Sequence, residues 1–144
     1  MLFADVLIFN EETGNVNADG KVRALFPYTA EDGKEEIVEV VSEKMYFYSQ
    51  KKLAQYTGDS VLKVKGIRLR ARSIFVQLRK EDGGMRKITA LEDVVIAHEQ
   101  NQGRGEKAVF NVKKDVIVLS LGGSVVLSDD ADTTFFNEFK TYAY

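Results

Sequence analysis

The chain has 144 residues, 44% of them hydrophobic and 29% charged, with a formal net charge of −2. That length and mix predict one folded domain with a core of its own, and the charge provides no basic field to hold nucleic acid. There is no Cys, which excludes disulfides, thiolate catalysis and Cys-based zinc sites, and no apolar run reaches the about 18–20 residues that span a bilayer as a helix.

The N-terminus, MLFADVLIFNEETG, has no basic segment and no cleavage site, and runs straight into strand-like sequence. It reads as the start of a trimmed fragment whose targeting segment is missing. From there on helical spacing is nearly absent. Runs of β-branched and aromatic residues, broken at Gly, Asn, Asp and Lys, predict eight strands at about 2–9, 15–26, 36–48, 53–64, 66–79, 85–98, 105–113 and 115–128. Hairpin turns are expected at 31–34 and 81–84, where Asp-Gly occurs, and a further turn at 101–105. In IRLRARSIFVQLR (67–79) the alternation is clean up to Arg72 and changes parity near Ser73 and Ile74, which predicts a bulge or bend there. The last stretch, 130–144, changes character and reads as a short helix, a terminal strand or a loose tail.

Four segments share a start consisting of a small residue, a charged residue, any residue and then mostly apolar ones. They begin at Ala4-Asp5, Ser42-Glu43, Ala71-Arg72 and Gly105-Glu106. Each is followed by a corner and a second strand that reaches a Gly/Asp-rich step ending in Val: ADGKV, TGDSV, ALEDV and LGGSV. Repeated two-strand units with variable turns predict stacking. A Gly recurring inside a strand marks a bulge or sharp bend, so four such bends in register would fold a long sheet over on itself. Period-two logic then selects the inner face: Leu7, Phe9, Val22, Met45, Phe47, Val61, Ile74, Val76, Val94, Ala108, Phe110 and Val125 face in, and Lys44, Ser73 and Lys107 face out. Such an interior is either a filled core or an elongated apolar groove.

These units, above all GEKAVF (105–110) and LSLGGSV (119–125), with YTGDSV and ADGKV as further copies, resemble the LptA/OstA-like family of lipopolysaccharide-transport proteins over residues 2–129. Leu91-Glu92-Asp93 stands where that family prefers Gly. The resemblance implies a folded-over antiparallel β-jellyroll, or β-taco, as a single all-β domain over 1–129. It implies a periplasmic, non-enzymatic module whose inner face shields the acyl chains of lipopolysaccharide. It also implies end-to-end strand pairing, with itself or with other components of the same transport system: a stand-alone bridge, an LptC-like partner or the periplasmic part of a larger translocon. No cofactor is implied.

The competing reading is a structural β-solenoid with a filled core and no lipid. Arg68, Arg70 and Arg72 share a face and could meet lipid phosphates, or they could be a solvated sheet surface. His98 is the only His, with no second ligand or base near it in the pattern, and Ser128–Asp132 lacks the spacing of a calcium loop.

Overall fold

A computed structural model describes residues 2–29, 33–64, 66–81, 84–111, 116–120 and 124–126, the last two segments and 28–29 for their backbone only. Its strands are β1 (Leu2–Phe3), β2 (Val6–Phe9), β3 (Val16–Thr29), β4 (Glu35–Tyr48), β5 (Leu53–Val64), β6 (Ile67–Leu78), β7 (Met85–His98), β8 (Asn101–Asn111), β9 (Val116–Ser120) and β10 (Ser124–Val126). All ten join one antiparallel sheet, in which β3 to β8 follow one another in chain order, each paired with the next. β1 and β2 lie end to end along β3, and β9 and β10 end to end along β8.

A line of register shifts crosses the sheet. The pairing jumps between Asp19 and Val22, Val41 and Lys44, Thr57 and Ser60, Arg70 and Ser73, and Leu91 and Val94. On β3, β5 and β7 the jump is made by two consecutive residues with positive φ: Gly20 (84°) and Lys21 (48°), Gly58 (81°) and Asp59 (49°), Glu92 (69°) and Asp93 (52°). An extra residue in one strand bends that strand and sharpens its twist. Repeated in register, it creases the sheet into two leaves.

The leaves face each other. A void of about 10 Å³ is lined by Leu62, Val64 and Leu69 from one leaf and by Ile88, Ala108 and Phe110 from the other. Between them lies the core, in which Val22, Val38, Val40, Ile74, Val76, Ala90 and Ile96 are wholly buried. Small residues line the inside of the crease, among them Ala18, Ser42, Ser60 and Ala71. Their size lets the leaves approach.

The eight predicted strands correspond to ten, because 2–9 contains both β1 and β2 and 115–128 contains both β9 and β10, and one turn is displaced. The turn expected at 101–105 lies instead at Glu99 and Gln100, with Glu99 at φ 57°. Asn101–Gly105 belong to β8, where Asn101 and Gly103 are buried. Ladder pairing with β7 outweighs their loop-like composition, because an extended backbone satisfies its donors and acceptors whatever the side chains. The expected hairpin residues at 31–32 and 82–83, the corner at 112–115, the Gly-Gly step at 121–123 and the segment 127–144, which holds the proposed tail and the acidic stretch, lie outside the described residues.

Candidate functional site: the inner face and its open end

Two unbroken rows of inward positions cross one leaf. The first runs Leu7, Ala18, Met45, Tyr56, Ile74, Ala90, Ala108; the second runs Phe9, Val16, Phe47, Ala54, Val76, Ile88, Phe110. Each member is the direct cross-strand partner of the next, so its side chain shares the same face. Met45, Ile74, Val76, Ala108 and Phe110 are buried, and Phe47 is half-buried against the core. Val22 and Val94 are buried beside the crease.

Leu7 and Phe9 occupy the inner face but remain 52% and 62% exposed, because β2 is at the edge and among the described residues no further strand covers it. Next to them the interior opens in a cleft of about 170 Å³, walled by Leu2, Val16, Phe26, Phe47, Tyr56 and Leu78. The interior is thus filled at its centre and open at the N-terminal edge. Burial pushes the Tyr56 hydroxyl in this wall well above the ordinary phenol range.

Val61 does not face inward. It pairs with Val41 and Arg70 on the outer surface and is half-buried, while Ser60 and Leu62 on either side of it are buried. The reason is the crease. The landmark shared by the units is the left-handed pair and not the following Val, so Gly58 aligns with Gly20 and Ser60 with Val22. From Ala4 to Val22 and from Ser42 to Ser60 the spacing is then 18 residues in both units. Val125 pairs through its backbone with Gly103; its side chain lies outside the described residues.

Of the three arginines, two are engaged by carboxylates. Arg70 is bidentate to Asp59, at 2.7 and 3.0 Å. Arg72 Nε lies 2.9 Å from Asp93 Oδ2. All three side chains are exposed, as on a solvated outer surface. His98 ends β7, half-buried and paired across the ladder with Ile67 and Asn101. No group of three or more potential metal ligands occurs among the described residues, and no helix there is long and apolar enough to cross a membrane.

Residues 39–138 match the model of a family described as LptA/(LptD N-terminal domain) LPS transport protein. The chain belongs to this family. Its members are transport modules and not enzymes. The fold is also that of a solved structure, the LptA-homologous periplasmic component LptH of the lipopolysaccharide transport device from Pseudomonas aeruginosa. The two superpose with a TM-score of 0.69 at 10% identity, over 89% of this chain and 94% of that one. No curated protein sequence matches. The folded-over antiparallel β-jellyroll follows from the creased sheet and from this likeness together.

Proposed function

We propose that the chain is a periplasmic carrier module of lipopolysaccharide transport, which shelters acyl chains against its inner face. The observation that carries this reading is the continuous apolar row ending in uncovered Leu7 and Phe9 beside an open apolar cleft. At about 170 Å³ the cleft is smaller than the about 300–1,000 Å³ of most enclosed ligand sites. It would receive part of a chain, with the edge residues extending the apolar surface, and deeper insertion would require the leaves to part.

Strand addition at the edge belongs to the same proposal. Val6, Leu7, Ile8 and Phe9 are all more than half exposed, so both faces of β2 are uncovered, and an unblocked apolar edge favours pairing with another strand. The partner is a second copy or another component of the same transport system.

The wholly buried centre favours a second reading, a filled β-solenoid that takes no lipid. Site-specific photo-crosslinking separates the two. A photoreactive residue at Phe9 or Phe47 should crosslink lipopolysaccharide, whereas the same residue at Lys44 or Lys107, both exposed on the outer face, should not. A folded protein that gives no crosslink at Phe9 or Phe47 would leave the filled solenoid.

A further inference from the structure

At the tip of the β6–β7 hairpin a second cleft, of about 460 Å³, adjoins the apolar one, and Leu78 is a wall of both. Its chemistry is the opposite. Among the described residues, Arg79, Lys80, Arg86 and Lys87 line it together with the carboxylate of Glu81. Among the described residues of this tip cations outnumber carboxylates, on a chain whose net charge is −2.

The backbone builds this arrangement. Leu78 pairs with Met85 and Gln77 with Lys87, so Arg86 is an extra residue on β7. Without that bulge, alternation would send Arg86 and Lys87 to opposite faces. With it, both are exposed next to each other between buried Met85 and Ile88. The neighbouring tip is tied to the same place: the Gln77 side-chain amide donates to the carbonyls of Lys51 and Lys52, and the Leu78 amide donates to Lys52. Cations gathered around a recess favour an anion, and Arg and Lys together suit phosphate oxygens.

Resting on the lipid reading above, we infer that this basic cleft takes the phosphorylated headgroup of the amphiphile whose acyl portion enters the apolar cleft across Leu78. The ligand class is therefore a phosphate-bearing lipid, held at both ends of its polarity.

The test compares binding of the whole chain to labelled bis-phosphorylated lipid A and to its dephosphorylated form. The chain should prefer the phosphorylated form by about tenfold or more, a difference within the reach of one or two charge-assisted hydrogen bonds. The triple variant Lys80→Gln, Arg86→Gln, Lys87→Gln should lose that preference and keep its affinity for the dephosphorylated form. The triple Lys44→Gln, Lys63→Gln, Arg68→Gln removes equal charge from the outer face and should retain the preference. Equal binding of both lipids by the unmodified chain overturns the headgroup site while leaving the apolar reading intact. Binding of neither overturns both. Equal loss in the two triples shows a diffuse charge effect and overturns the site. Inorganic phosphate binding as tightly as the phosphorylated lipid shows a free-phosphate site and likewise overturns the headgroup assignment.

Discussion

Arg72 on β6 reaches Asp93 on β7 through Nε at 2.9 Å, with Glu92 Oε2 at 3.7 Å from its Nη1. The two preceding units place an acid over a glycine at this point. A Cβ added to Gly20 would lie 2.9 Å from Asp5 Cβ, and one added to Gly58 would lie 2.8 Å from Glu43 Cβ. In the third unit the glycine has become Glu92 and the opposing charge has become Arg. The local charge is reversed while the left-handed backbone is kept, with Glu92 at φ 69°.

That exchange makes Glu92 a strained residue. A non-glycine side chain in the left-handed region costs roughly 1 kcal/mol or more. The ion pair lost on substitution is surface-exposed and worth about 0–1 kcal/mol, and Asp93 stays to hold Arg72. Glu92→Gly is therefore expected to raise the melting temperature, by about 3–4 °C for each kcal/mol gained. Calorimetry on the two proteins tests it; a lower melting temperature would show that the Glu92 contact outweighs the backbone strain.

The converse holds at Gly58. Gly58→Ala meets both a φ of 81° and the Cβ of Glu43, and should lose about 1–3 kcal/mol in urea unfolding. Glu43 Oε2, at 2.7 Å, is the end of a flexible side chain and can move aside, whereas Glu43 Cβ, at 2.8 Å, cannot, so adding Glu43→Ala should not restore the loss and adding Glu43→Gly should restore part of it. Equal rescue by both would mean that the carboxylate and not the Cβ is the obstacle.

Tyr56 couples stability to alkaline pH. Its hydroxyl is held neutral in the folded chain well above the ordinary phenol value of 10.0, at which it ionises once unfolded. The folded pKa is raised, so the contribution is complete below pH 10 and declines as pH rises toward the folded value, by about 1.4 kcal/mol per pH unit. The stability difference between the unmodified chain and Tyr56→Phe should be constant from neutral pH to about pH 9 and then shift in favour of Phe. A difference independent of pH up to 11 would refute the assignment.

The parity of β5 is open to a simple comparison. Leu62→Ala removes a buried side chain at the inter-leaf void and should cost about 2–5 kcal/mol. Val61→Thr, one residue away on the outer surface, should stay within about 0.5 kcal/mol. Similar losses at both positions would place Val61 inside after all.

Much of the fold was legible because its signals are local. Alternation along residues 67–72 and the β-branched runs of β4 and β7 mark strands from chain chemistry alone, and the recurring small-charged starts at Ala4-Asp5, Ser42-Glu43 and Ala71-Arg72 do mark the crease. Counted from such starts, Gly105-Glu106 included, the inward parity falls on buried positions at Met45, Ile74 and Phe110. It slipped at Val61, where a Val was taken as the landmark. A register set by two left-handed residues depends on backbone conformation, and Gly58-Asp59 announces it less loudly than an apolar residue does. The basic cleft left a different trace: RK (79–80) and RK (86–87) are plain in the sequence, but nothing there states that a bulge turns both members of the second pair outward.

By itself, then, the sequence determined an all-β chain of repeated two-strand units with an apolar inner face and no catalytic constellation. The tertiary structure decided which part of that face is core and which part is available. Ile74 and Leu7 stand in the same cross-strand row, yet one is wholly buried and the other 52% exposed. The difference lies in neither side chain. Burial requires a neighbouring strand and an opposing leaf, and Leu7, on the edge strand β2, has a neighbouring strand on one side only.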